Sequence, residues 1–380
     1  MEKLVYFDNA STTSLDSRVL EKMIPYLTDF YGNANSSHQI GRLAVKGLDE
    51  AREIVSSLLN VNFSEIYFTS SGTECDNWAL RGMALSRGKK NKLVVSSIEH
   101  AAMLKTCESL QKQGVEVVYV KPDSNGYCSS IDYFENASDS FLCSLMFANN
   151  EIGSIEPIKE VASKVHEKGS YFYTDAVQAI STNRIDCKDL GVDMLGFSAH
   201  KFNGPKGVGC MFIKNGTPIS PLISGGHQER ALRGGTSNVS GAVGLAYALK
   251  YTYKNLEKDS KYIEEIRNYF INKVSSTISL AKLNGDLKNR LKTNANFLFD
   301  GIDGEALLNI LDLNGVCASL GAACSAGTIE ASHVLKSIGL TEKQAFSSIR
   351  FTFSKNNTFS EVDYAVEVLK NAISKLKSFN

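Results

Sequence analysis

Short apolar runs, separated by longer amphipathic stretches, set the rhythm of the first two-thirds of the chain. Runs at 65–69, 92–96, 116–120, 141–147, 171–174, 193–198 and 208–213 have the length and composition of buried strands. Apolar residues at helical spacing fill 74–86, 101–113 and 158–168 between them. Strand and helix in alternation predict a mainly parallel, seven-stranded sheet covered on both faces. Upstream, 3–7 reads as a short strand and 8–13 as a polar turn. A helix over 16–31 carries Val19, Leu20, Met23, Ile24 and Leu27 on one side, and a second amphipathic helix covers 41–59.

Past Asn238 the pattern changes. Positions 239–275 read as one long charged helical stretch able to bridge two domains. Beyond it come strand-like 295–299, helix 304–313, strand-like 315–319, helix 332–338, strand 348–353 and helix 361–377. A chain of 380 residues exceeds what one core usually serves. The expected organisation is an α/β large domain over 15–250 and a smaller α+β domain made of 1–14 with 251–380.

Composition narrows the function classes. Charged residues make up 22% and the formal net charge is zero, so no electrostatic footprint for nucleic acid or an anionic membrane is present. No signal segment precedes the first strand and no apolar run is long enough to span a bilayer, which makes a cytoplasmic protein the expectation. Eight cysteines occur without a C-x-x-C pair, which argues against a zinc site, and reduced thiols are expected.

The candidate chemistry stands where strands end. The run Met194-Leu195-Gly196-Phe197 stops at Ser198, and Ala199-His200-Lys201-Phe202-Asn203-Gly204-Pro205 forces an irregular turn. Lys201 thus lies at a strand exit, where open α/β sheets place ligands, and an accessible lysine amine is suited to Schiff-base formation. A solvated surface lysine is the plainer alternative. Asp175 closes the 171–174 run, 26 residues before Lys201, about one further helix and strand. Adjacent parallel strands would bring acid and amine to one edge, the arrangement that pyridoxal phosphate (PLP) requires of its protein. Ser70-Ser71-Gly72-Thr73 opens a helix after another strand. It offers free N–H groups to an anion, although an ordinary helix cap explains it as well. Glu99-His100 and Asn149-Asn150-Glu151 follow two more strands, and structural roles account for each alone.

Taken in order, the motifs resemble a family. They are Tyr6-Phe7-Asp8-Asn9-Ala10, Thr69-Ser70-Ser71-Gly72-Thr73-Glu74, Ile98-Glu99-His100, Asn149-Asn150-Glu151-Ile152-Gly153, Thr174-Asp175-Ala176-Val177-Gln178 and the 198–209 stretch. Gly225-Gly226-His227-Gln228-Glu229, Arg233-Gly234-Gly235-Thr236, Gly321-Ala322-Ala323-Cys324-Ser325 and Ser348-Ile349-Arg350-Phe351 complete the set. Over nearly the whole length the chain resembles cysteine desulfurases of the nitrogen-fixation and iron–sulfur type, PLP enzymes of fold type I in the class V aminotransferases. That resemblance implies Lys201 as the Schiff-base lysine, Asp175 on the pyridine nitrogen, Gln178 on the ring hydroxyl and His100 stacked on the ring as a proton shuttle. It implies Gly72, Thr73, Ser198 and His200 around the phosphate, with Thr236 crossing from the partner of a homodimer. Asn150 and Arg350 would take the substrate carboxylate. No metal is implied.

The cysteine selects the reaction. Cys324 stands among small residues, and the resemblance makes it the thiolate that removes sulfur from L-cysteine, leaving L-alanine and a persulfide. An acceptor protein, either a cluster scaffold or a tRNA-thiolation enzyme, would then take the sulfur. Selenocysteine lysis and transamination are the alternative reactions, and a binding protein on an inactive PLP fold is the alternative of another class. Two positions depart from the family: Ala322 where serine is usual, and Gly32-Asn33-Ala34-Asn35 where Gly-Asn-Pro-Ser is usual. The chain ends at Asn380, soon after its last expected helix, where housekeeping members carry a longer scaffold-docking tail, so the acceptor is left open. The stretch around Cys324 resembles the longer-loop branch.

Overall fold

Seven apolar runs assemble into one sheet in the computed structural model, which describes residues 4–320 and 330–378. Cys324 lies outside the described residues. The chain opens with strand β1 (Val5–Tyr6) and helices α1 (Ser17–Thr28) and α2 (Gln39–Leu59). The sheet strands are β2 (Ile66–Thr69), β3 (Lys92–Ser96), β4 (Glu116–Val120), β5 (Ser140–Ser144), β6 (Tyr171–Asp175), β7 (Met194–Ser198) and β8 (Gly209–Ile213). Between them run α3 (Gly72–Ser86), α4 (Ala101–Gln111), α5 (Ser130–Asn136), α6 (Ile158–Glu167) and α7 (Cys187–Leu190). Helices α8 (Val239–Lys254) and α9 (Leu256–Thr277) lead to β9 (Ala281–Leu283), β10 (Asn294–Phe299), α10 (Gly304–Leu313), β11 (Val316–Cys317) and β12 (Ser319–Leu320). The chain finishes with α11 (His333–Ser337), α12 (Glu342–Phe346), β13 (Ser348–Thr352) and α13 (Phe359–Lys377).

Strand order in the large sheet is β2-β8-β7-β6-β5-β3-β4. All neighbours from β7 to β4 are parallel, and only β8 runs against the strands on either side of it. Residues alternate faces along each strand. Ile66 and Phe68 join a cluster with residues of α1, α2, α6 and α8, whereas Tyr67 packs with Trp78 and Met83 of α3 on the other face. Trp78 is fully buried and donates its indole N–H to the Ser220 carbonyl at 2.9 Å, so its one polar atom is satisfied.

A third cluster gathers Val5 and Phe7 with Phe270, Phe297, Phe351 and Phe353 around the antiparallel sheet β12-β13-β10-β9. Strand β1 reaches it by pairing with β11, so the N-terminal segment runs alongside β13 before it crosses to the large sheet.

Two sequence expectations were revised. The stretch 239–275 is two helices, because Asn255 leaves helical geometry and its N–H bonds back to Thr252. Helix α8 buries its apolar residues in the first cluster and α9 in the third, which needs a change of direction. The 315–319 run divides into β11 and β12, which join different sheets. Among the described residues no helix is long and apolar enough to cross a membrane.

Candidate active site

Strands β2, β3, β5, β6 and β7 all end at one edge of the large sheet, and each delivers a polar group there. The cavity they surround has a volume of about 800 Å³. Its lining includes Gly72, Thr73, His100, Asn150, Asp175, Gln178, Ser198, His200, Lys201 and Arg350. All ten are residues that the sequence motifs single out.

Lys201 closes a single helical turn (Ala199–Lys201) directly after β7. Its Nζ donates to the carbonyls of Ala10 and Ser11 at 2.5 and 2.9 Å. Burial, then the nearby Arg350 charge, lower its pKa to about 8, against the opposing pull of Asp175 and Asp8. Asp175 ends the neighbouring strand β6, is 6% exposed, and accepts from the Val177 N–H at 2.8 Å. Burial raises its pKa, while His100 and Lys201 pull it back down. Amine and acid therefore face one space from adjacent strands.

His100 caps α4, its Nδ1 accepting the Ala102 N–H at 3.2 Å. A backbone amide can only donate, so Nδ1 presents a lone pair and the neutral ring carries its proton on Nε2. The ring is exposed to the cavity, yet the cavity walls desolvate it enough to lower its pKa. Gln178 Nε2 donates to the Ala10 carbonyl at 3.0 Å.

One end of the cavity suits an anion. Ser71 caps α3, and Gly72 and Thr73 give that helix its first free N–H groups. A Cβ on Gly72 would come within 2.7 Å of Val177 Cγ2, so any larger residue would push the cradle apart. Ser198 lies beside Gly72, and it lines the cavity together with His200. Burial, then Lys201 and Lys206, bring the His200 pKa down to about 4, so this ring acts as a neutral hydrogen-bonding group.

Another part of the lining suits a carboxylate. Arg350 on β13 is 7% exposed. Its Nη1 donates to the Asn150 carbonyl at 3.0 Å, and its Nη2 donates to Asp8 Oδ1 and Ser11 Oγ, both at 3.0 Å. Its buried Nε has no partner among the described residues. The turn that presents Asn150 is held from the second sheet and its flanking loop. Asn294 and Asn296 donate to the Glu151 carbonyl at 3.0 and 3.1 Å, Arg290 to that of Ile152 at 2.5 Å, and the Leu291 N–H to that of Gly153 at 2.8 Å. With Arg350 on Asn150, four successive carbonyls are bonded across the cleft. The Glu151 carboxyl, raised by burial to about 7, accepts from Ser332, the cap of α11.

Thr236 is not brought to the cavity of its own chain. It is exposed, on a loop fixed by the two-pronged Arg233–Glu74 pair and by the buried Arg52–Glu229 pair. Asp8, Ser11, Asp76 and Glu151 escaped sequence reasoning as site residues. The Asp8-Asn9-Ala10 motif was the available signal for the first two, but a strand end explained it equally well.

A sequence model of the class-V aminotransferases matches residues 5–365 and so gives the class. The chain is 44% identical over 385 residues to "Cysteine desulfurase IscS" of Clostridium botulinum, an alignment covering 100% of this chain and 97% of that protein. A solved "NIFS-LIKE PROTEIN" superposes with a TM-score of 0.93 at 38% identity, covering 98% of this chain and 100% of the other. A structure described as "SspA in complex with cysteine" superposes with a TM-score of 0.83 at 32% identity, covering 93% and 100%. The chain belongs to the NifS- and IscS-like cysteine desulfurases, a PLP-dependent family within that class.

Proposed function

We propose that this protein removes sulfur from L-cysteine, releasing L-alanine and carrying the sulfur as a persulfide on Cys324. The observation that carries the reading is the shared cavity of Lys201 and Asp175, whose lining also holds the Gly72–Thr73 helix start and Arg350. The donor set suits PLP. An amine near neutrality is available for the aldehyde, a buried acid for the ring nitrogen, and a glycine-opened helix start for the phosphate.

In this assignment Lys201 holds the cofactor, Asp175 meets its ring nitrogen and Gln178 its ring hydroxyl, and His100 lies over the ring. Gly72, Thr73, Ser198 and His200 bind the phosphate, completed by Thr236 of the second copy in a homodimer. When bound, PLP supplies an electron sink next to the substrate Cα. Arg350 and Asn150 orient the amino acid by its carboxylate. The Lys201 amine, once free, is basic enough to take the Cα proton, and His100 Nε2 holds a proton it can give. The substrate C–S bond breaks as an S–S bond forms to Cys324 Sγ, and the three-carbon remainder takes up a proton and leaves as alanine. A thiolate is the required form of Cys324.

The domain division 15–250 against 1–14 with 251–380, a cytoplasmic location, and an acceptor in iron–sulfur cluster assembly or tRNA thiolation belong to the same reading. The decisive experiment replaces Cys324 with alanine. The variant is expected to keep the visible band of bound PLP and to lose alanine and sulfide release from L-cysteine. Undiminished turnover overturns the persulfide role, and a colourless protein after PLP addition overturns the enzyme reading.

A further inference from the structure

Arg350 does not wait for its substrate as a free cation. Its Nη2 is held by Asp8 Oδ1 at 3.0 Å and by Ser11 Oγ at 3.0 Å, while Ser11 Oγ also donates to Asp8 Oδ1 at 2.8 Å. Arg350 and Ser11 line the cavity, and Asp8 is bonded to both of them. The pair is largely out of water, with side chains 8% and 17% exposed. At such a site a counter-charge is weakly screened. The buried Nε lacks a partner among the described residues, so one donor of the guanidinium is left for a ligand.

We propose that Asp8 is a built-in counter-carboxylate that weakens the hold of Arg350 on the amino-acid carboxylate, and so sets how tightly substrate binds and how readily product leaves. The inference rests on the reading of Arg350 as the carboxylate receptor. The charge of Arg350 is partly neutralised before any ligand arrives. A second carboxylate at this guanidinium also meets the negative charge of Asp8. A bare buried arginine would bind an amino acid more tightly and release alanine more slowly. Strand β1 provides the correction, since its pairing with β11 brings Asp8 beside Thr352 of β13, two residues from Arg350.

The test measures L-alanine binding to the PLP-loaded enzyme by calorimetry, with L-alaninamide as the probe lacking a carboxylate. Asp8→Asn keeps an acceptor for Nη2 and removes the charge. It is expected to tighten L-alanine binding by about three- to tenfold, to leave L-alaninamide binding unchanged, and to lower both KM for L-cysteine and kcat. Asp8→Ala, which removes the acceptor too, is expected to change L-alanine binding in the same direction and serves if the Asn variant is not recovered folded. Unchanged or weaker L-alanine binding in the folded variants overturns the inference, as does equal tightening for both probes. Arg350→Gln separates the two readings: if it leaves L-alanine binding intact, Arg350 is not the carboxylate receptor; if it abolishes binding while Asp8→Asn has no effect, only the role of Asp8 falls.

Discussion

Tyr173 donates its phenolic proton to Asp76 at 2.7 Å, and the two lie fully inside the protein with Asp175 two residues further along the same strand. Burial first, then the Asp175 charge, push the Asp76 carboxyl well above its usual range. His100 and Lys201 pull the Asp175 carboxyl back down whereas no cation does so for Asp76, so Asp175 is the better placed of the two to carry charge. Asp76→Asn, a neutral near-isostere, is expected to change stability by less than about 1 kcal/mol and to leave PLP binding intact. Tyr173→Phe strands a buried polar group and is expected to cost about 1–3 kcal/mol. Denaturant melts of the two variants decide it. A large loss in Asp76→Asn would show that the charged form of Asp76 matters.

Glu99 gives a pH dependence with a definite sign. Burial raises its carboxyl from 4.5 to about 8, even though Ser96 Oγ and the Met146 N–H both donate to Oε1. Its Oε2 has no partner among the described residues, consistent with a proton there. The folded state thus holds a proton that the unfolded chain loses above pH 4.5. The contribution of Glu99 is fully present below 4.5 and fades as pH rises through 8, with a slope of up to about 1.4 kcal/mol per pH unit. Glu99→Gln keeps the two accepted bonds and abolishes the titration. Unfolding measured at pH 5, 6.5 and 8 is expected to show the variant gaining on the natural protein at each step. Parallel profiles would mean that Glu99 is ionised.

The Arg233–Glu74 pair joins the Thr236 loop to the start of α3. Burial opposes ionisation of Glu74, but the two bonds from Arg233, at 2.8 and 3.0 Å, and the bond from the Ser70 N–H hold its pKa below normal. Its contribution is accordingly present above about pH 4.5 and lost as pH falls below it. Arg233→Ala leaves a buried carboxylate half-satisfied and is expected to cost about 3 kcal/mol. Because α3 opens the anion cradle, PLP should also dissociate faster from the variant, as followed by loss of its visible band during gel filtration. Arg233→Lys should restore charge but not the two-pronged geometry, recovering only part of the loss.

The seven large-sheet strands were legible because each is a short, largely apolar run, and all but the edge strand β4 are almost wholly buried, a local signal that survives without its neighbours. Lys201, Asp175, His100 and Gly72 were legible for a related reason: each sits immediately after such a run, so position along the chain predicts position in space. The break at Asn255 was not, since helical propensity continues across it and only the choice between two cores demands the turn. Asp8, Asn294, Asn296 and Arg290 were equally hidden. Their importance lies in bonds to residues far along the chain, such as Asp8 to Arg350 or Asn294 to Glu151, and no spacing rule announces those contacts. Thr236 was named by resemblance alone, and a single chain does not bring it to its own cavity.

The bolted turn at 150–153 supplies the last prediction. Asn296 is wholly buried, donates to the Glu151 carbonyl at 3.1 Å and accepts from Asn284 Nδ2 at 2.8 Å. If these bonds serve only stability, Asn296→Ala should cost about 1–3 kcal/mol and leave the kinetics unchanged. If they fix Asn150 against the substrate, small displacements of that side chain matter, because orienting groups act over fractions of an ångström. The expected result is a rise in KM for L-cysteine of about tenfold or more, with the PLP band and its lysine linkage unaffected, since none of the bonds lost touches Lys201 or Asp175. Asn294 still donates to the same carbonyl at 3.0 Å, so the turn should loosen and not collapse. The Asn294→Ala, Asn296→Ala double variant removes both donors, and its effect on KM should exceed the product of the single effects. Simple additivity would indicate that the two amides act on the fold independently of the turn.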